Sequence, residues 1–332
     1  MMATTKVTYR GSASGYPAEP SASAEFPGAA QGTPKRGILT IAFGTPTYIE
    51  MAKSLARSLI LHAPALPRAV VTDSRDPGLD SLFTHRIEYR PEYGSNLRQK
   101  MYLDKYSPFE ETLFLDSDCL AVRGMDALWN AFRSVPFGAC GYHIIHAGEV
   151  NEFLDVDLML KHFGLTGLPK FNGGTYYFNT SPEATALFTT ARDLLSQATE
   201  LRFTDFRGDG PNDEALYSVA MAIHNLTVIN VENGGMWTPI DKTGPIEVDI
   251  PGGICTFVKR GRLVTPDVIH FAMYTESFPY LRECLKLRYL EQGRKPMSPT
   301  EELLLRATVV RLWLLRKSKG LRRRLRRLRT AR

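Results

Sequence analysis

A chain of 332 residues with 43% apolar and 23% charged side chains can build the core of one large α/β domain; no run of about 18 apolar residues exists, which excludes a membrane-spanning helix. The net charge of +6 is unevenly placed, since residues 303–332 hold 12 Lys and Arg and no Asp or Glu, leaving 29 basic against 35 acidic residues elsewhere. Cys119, Cys140, Cys255 and Cys284 lie far apart without metal-ligand spacing and predict reduced thiols in a cytosolic setting.

Residues 1–36 are rich in Ala, Ser, Gly and Pro without a continuous apolar stretch, and read as a disordered leader rather than a signal peptide. Gly37 to Phe43 reads as a buried strand closed by Gly44, and Tyr48 to His62 as an amphipathic helix ended before Pro64. Ala69 to Asp73 predicts a second strand and Arg86 to Tyr89 a third. Leu97 to Tyr106 predicts a helix leading to the apolar run Thr112-Leu113-Phe114-Leu115. This is the βαβ rhythm of a mostly parallel sheet. Neither Gly-x-Gly-x-x-Gly nor the P-loop pattern occurs, which argues against dinucleotide dehydrogenases and ATPases.

The apolar run breaks into Asp116-Ser117-Asp118. On an extended segment these carboxylates point to opposite faces, so both reach one ion only if the chain turns at Ser117. Hard oxygen ligands at the carboxyl end of a buried strand suit Mg²⁺ or Mn²⁺ and a diphosphate. A bare triplet arises often by chance, and the second one, Asp155-Val156-Asp157, opens a helix and is assigned to capping.

Four further segments accompany the pair. Asn96-Leu97-Arg98-Gln99-Lys100 places cations upstream, and Phe171-Asn172-Gly173-Gly174-Thr175 is a Gly-rich turn running into an aromatic strand. Asp213 and Glu214 stand at a helix start, and Val268-Ile269-His270 ends a short strand on a histidine. His143 and His146 lack a further ligand set. Trp237 suits either sugar stacking or loop packing.

In this order, from Gly37 to Phe271, the segments resemble nucleotide-sugar glycosyltransferases of the GT-A fold, most closely glycosyltransferase family 8. The resemblance implies a single GT-A domain, Rossmann-like with a mostly parallel sheet, over residues 37–285. It implies a metal-dependent hexosyltransferase moving sugar from a UDP-sugar to an acceptor hydroxyl with retention. Asp116, Asp118 and His270 match the ligands of Mn²⁺ or Mg²⁺, with Ser117 between the carboxylates. Arg98 or Lys100 matches the basic residue at the donor, and Asn172 with Gly173 the segment that approaches the donor sugar. Asp213 and Glu214 match an Asp-Gln pair, with Glu in place of Gln, and are the catalytic candidates. Ala42, Phe43, Gly44 and Tyr48 match the loop that receives the nucleotide base, without its usual acidic residue. After His270 the family's glycine and lysine are missing, and Lys259, Arg260 or Arg262 are the candidates for gripping the diphosphate instead.

Residues 286–332 form a helical basic tail in which Val310, Leu314, Leu321, Leu325 and Leu328 recur among arginines, with Trp313 near the start. That pattern predicts a helix on an anionic membrane surface rather than a nucleic-acid partner. A cytoplasmic protein, peripheral on the inner face of the membrane and acting on a glycan or lipid-linked acceptor, is the resulting expectation. The competing readings are a sugar-phosphate nucleotidyltransferase, for which Phe43-Gly44-Thr45-Pro46-Thr47 poorly matches the phosphate loop, and a non-catalytic scaffold carried by the tail.

Overall fold

Alternation of side chains along β1 (Arg36–Ile41) sets the layers around the central sheet. In the computed structural model, which describes residues 35–231, 234–311 and 314, Ile38 packs on one face with Leu55 and Leu59 of α1 (Pro46–His62). Leu39 joins the cluster on the other face. Pro46 sits in the first turn of α1, where its missing N–H costs nothing. Each fully buried leucine of α1 stabilises the layer by about 1.5–3 kcal/mol.

β2 (Arg68–Thr72) and β3 (His85–Glu88) extend the sheet in parallel on one side of β1. A 3₁₀ segment, Asn96–Tyr102, and the one-turn helix α2 (Leu103–Tyr106) replace the continuous helix that periodicity predicts there. Three residues per turn align Leu97, Lys100 and Leu103 on one side, which carries Lys100 inward. β4 (Glu111–Leu115) pairs with β1 in parallel, then the chain turns over 116–118 into β5 (Cys119–Ala121).

After α3 (Asp126–Phe132), β6 (Phe137–Ile145) and α4 (Val156–Phe163), β7 (Leu168–Asn179) inserts antiparallel between β4 and β6. The six strands run in the order β3-β2-β1-β4-β7-β6, parallel around β1 and antiparallel at β7. This is a mixed α/β architecture with a mainly parallel core. The expected Gly-rich turn at Gly173 and Gly174 lies within β7 itself. Asp155 caps α4 by accepting from the Leu158 N–H at 3.0 Å, the role that its context predicts. α5 (Pro182–Ser196) and α6 (Asp213–Ile223) cover the second face, burying Leu187, Phe188, Leu216 and Tyr217 against Leu39, Phe114, Tyr176 and Phe178.

The remaining chain adds β8 (Met236–Trp237), β9 (Lys242–Asp249), β10 (Ile254–Lys259), β11 (Arg262–Val264), β12 (Val268–His270) and α7 (Phe278–Glu291). β9, β10 and β11 form an antiparallel meander, and β12 lies between β5 and β8. Phe257, Ile269, Tyr280 and Leu287 join these pieces in one core. α7 runs unbroken past residue 285 and ties to α1 through Arg57 and Glu291 at 2.7 Å. Residues 299–311 are helical; the rest of the basic tail, save residue 314, and the leader up to residue 34 lie outside the described residues. All four cysteines are unpaired.

Candidate active site

Strand pairing builds the centre of the site. β12 runs antiparallel to β5 with His270 opposite Cys119, and the Phe271 N–H donates to the Asp118 carbonyl at 3.2 Å. The chain does turn at Ser117, so both carboxylates reach the imidazole: Nε2 of His270 lies 3.1 Å from Asp118 and 3.7 Å from Asp116. The opposite nitrogen, Nδ1, meets the Asn172 Oδ1 at 2.5 Å. That oxygen also accepts from the Gly174 N–H, so Nδ1 carries the proton and Nε2 is left to face the carboxylates.

Lys100 occupies the other side of Asp116. Its ammonium is 2.9 Å from Asp116 and 3.1 Å from Asp213, and donates to the Gly173 carbonyl at 3.1 Å. Burial alone would lower the lysine pKa, but Asp116 and then Asp213 outweigh it and hold the group well above its ordinary value. Arg98, the alternative cation, instead reaches the Asp209 carbonyl at 3.3 Å and braces that loop. Burial likewise acts to raise Asp118, and His270 reverses it to leave the carboxyl below its usual range. His270 is shifted upward, because Asp118 and Asp116 overcome the desolvation of the buried ring.

Ligand atoms of Asp118, Cys119 and His270 lie within 4.8 Å of one another, with Asp116 drawn toward Lys100 beside them. Burial pushes the Cys119 thiol far above its ordinary pKa, and it donates to the Gly174 carbonyl at 3.5 Å. A protonated, inward-bonded thiol is a poor ligand. Two carboxylates and Nε2 of an imidazole that gives up its second proton form the fitting set, and the hard carboxylate oxygens suit Mn²⁺ or Mg²⁺.

Asn212 caps α6 by accepting from the Glu214 N–H, which presents Asp213 and Glu214 to β7. Asp213 accepts through Oδ2 from Lys100 and from the Tyr176 hydroxyl at 2.7 Å. Glu214 accepts from the Gly173 N–H at 2.9 Å and from the Asn172 amide at 3.3 Å. Burial, then Asp213, pushes Glu214 up to about 7. A side chain at Gly173 would meet Asp213 at 2.6 Å, so glycine is what lets β7 approach α6 this closely.

All these groups open into a cleft of about 1400 Å³, which Tyr48, Lys100, Asp116, Asp118, Asn172, Gly173, Asp213, Glu214 and His270 line together. Ser117 is buried in the turn and Ala42 in the core. Phe43 stacks on Tyr89 at 4.3 Å, and the Gly44 N–H donates to Asp73 at 3.2 Å. The loop after β1 therefore receives an acidic residue from the end of β2, which local sequence did not foreshadow. Sequence reasoning also left Lys170, Arg207 and Tyr142 unassigned, and these line the cleft. His143 pairs with Glu149 at 3.0 Å, away from the carboxylates.

No family model matches the sequence, and no curated protein matches it either. Among solved structures the chain is similar to the galactosyltransferase LgtC with donor and acceptor sugar analogs, at 13% identity and a TM-score of 0.49 over 80% of this chain and 98% of that one. It is similar to mouse xyloside xylosyltransferase 1 in its apo form, at 14% identity and a TM-score of 0.39 over 61% and 88% of the two chains. It is similar as well to GlyE of Streptococcus pneumoniae TIGR4, at 13% identity and a TM-score of 0.40 over 60% and 46%. All three are glycosyltransferases.

Proposed function

We propose that the protein is a metal-dependent glycosyltransferase that moves a hexosyl group from a UDP-sugar to an acceptor hydroxyl with retention of configuration. One observation carries the reading: Nε2 of His270 faces Asp116 and Asp118 across the Ser117 turn while Asn172 holds Nδ1. Asp116, Asp118 and His270 would hold Mn²⁺ or Mg²⁺, which when bound supplies charge stabilisation to the departing diphosphate. Asn172 and Gly173 would lie against the donor sugar, and Ala42 to Tyr48 with Asp73 would receive the base.

In the transfer the bond between the anomeric carbon and the diphosphate oxygen breaks, the acceptor oxygen bonds to that carbon, and the acceptor proton leaves with the nucleotide. Asp213 is ion-paired with Lys100 through Oδ2, whereas Glu214 meets only the neutral Gly173 N–H and Asn172 amide, so Glu214 is the carboxylate we assign to face positive charge at the sugar. The same position would serve as nucleophile if a covalent intermediate formed. The test is incubation with a panel of UDP-sugars and Mn²⁺, measuring released UDP. Turnover of one donor that Asp118→Ala abolishes is expected; no binding or turnover of any nucleotide sugar would sink the reading.

The tail motivates a companion proposal, peripheral attachment to an anionic membrane, because its leucines alternate with arginines. Deleting residues 315–332 should abolish binding to phosphatidylserine vesicles, and unchanged binding would refute it.

A further inference from the structure

The wall of the cleft carries two cations, Lys259 and Arg260, that form no ion pair with a carboxylate among the described residues. Lys259, at the end of β10, is only 7% exposed, yet its ammonium has one hydrogen-bond partner, the Thr238 carbonyl at 2.9 Å. Among the described residues no acidic group lies within ion-pair distance of it. Arg260 follows in the two-residue turn to β11, its φ of +51 and that of Gly261 at +73 giving the primed turn such hairpins favour. Its guanidinium lies 4.8 Å from the ring centre of Tyr142 rather than on a carboxylate.

An uncompensated ammonium in a dry wall is costly, and burial followed by Arg260 pushes Lys259 down to about 8. Near neutral pH it is still charged. A fold retains such a group where a ligand completes it.

Position identifies the ligand. Lys259 and Arg260 line the cleft together with Asp241, Glu214, Tyr142 and Trp237. The cation pair is thus part of the cleft wall, and an ammonium beside a guanidinium calls for an anion. Beside it stand Tyr142, 43% exposed, and Trp237, their rings 5.8 Å apart and 7° from parallel. The Trp237 indole is fixed by its N–H on the Gly234 carbonyl at 2.8 Å. Thr238, which holds Lys259, follows Trp237 directly in the chain, so the charge and the aromatic pair are one unit.

Resting on the transferase reading, we propose that this unit is the acceptor subsite and that the acceptor is an anionic sugar, its ring against the Tyr142–Trp237 pair and its carboxylate or phosphate on Lys259 and Arg260. Carboxylate and phosphate share the required chemistry.

Isothermal titration of the full-length protein with UDP and Mn²⁺ present separates the sources: methyl β-D-glucuronide, glucose 6-phosphate and, as the neutral control, methyl β-D-glucoside. At least one anion should bind tenfold or more tightly than the glucoside, and Lys259→Met or Arg260→Ala should weaken it at least tenfold, with Arg260→Lys keeping most of the affinity. Arg260 is exposed, so its variants test the idea even if Lys259→Met fails to fold. Equal binding of the glucoside, anion affinity unchanged in both variants, or no binding of either anion would overturn the proposal. UDP and Mn²⁺ are titrated first: if they fail to bind while an anion still requires Lys259, the transferase reading falls and the subsite stands.

Discussion

Asn172 holds Nδ1 of His270 at 2.5 Å, and this single bond decides which ring nitrogen the carboxylates see. Replacing Asn172 by Leu frees the ring to rotate or change tautomer. Affinity for Mn²⁺, followed by the loss of free-ion electron paramagnetic resonance signal, should fall by about 10–100-fold. Unchanged affinity would remove His270 from the ligand set.

Lys100 is the electrostatic pivot between β4 and α6. Lys100→Met would leave Asp116 and the buried Asp213 without their shared cation, and breaking a buried pair of this kind costs about 3–5 kcal/mol. Urea denaturation at pH 7 should report that loss. A change below about 1 kcal/mol would mean the carboxylates simply take up protons at little cost.

Glu214 makes stability depend on pH. With its folded value near 7 against an ordinary 4.5, the folded protein binds this proton more tightly, so the stabilisation is complete below about 4.5 and lost as pH rises through 7. Glu214→Gln keeps the acceptor for the Gly173 N–H and removes the titration. Wild type and variant should be equally stable near pH 4.5, and the variant more stable by about 1–3 kcal/mol at pH 8. Parallel stability curves across that range would contradict the shift.

Gly174 permits the closest approach in the site, because a β-carbon there would run into the His270 ring. Gly174→Ala should cost about 1–3 kcal/mol of stability by overpacking. It should also abolish the thermal shift produced by UDP with Mn²⁺. Full retention of that shift would show that His270 can move without consequence.

The sheet, α1 and the carboxylate turn were legible because buried strands write continuous apolar runs and helices write a 3.6-residue period. The choice between Arg98 and Lys100 was not, since both look equivalent on an α-helix and only 3₁₀ winding turns Lys100 inward. Asp73 escaped for a different reason: it reaches the Gly44 loop across a strand pairing, and pairing leaves no local trace. The Lys259 unit was hidden likewise, assembled from β6, β8 and β10, whose short strands converge only in three dimensions.

The pairing of β12 with β5 also governs when the three proposed metal ligands can first meet. Asp116 and Asp118 leave the ribosome long before His270, and Asn172 is itself 98 residues ahead of the histidine it orients. A nascent chain ending before β12 has the carboxylates without the imidazole. Closing so long a loop is entropically expensive and slow. On the metal-dependent reading proposed above, ion capture through all three ligands would therefore come late in synthesis, once the carboxyl-terminal third has docked.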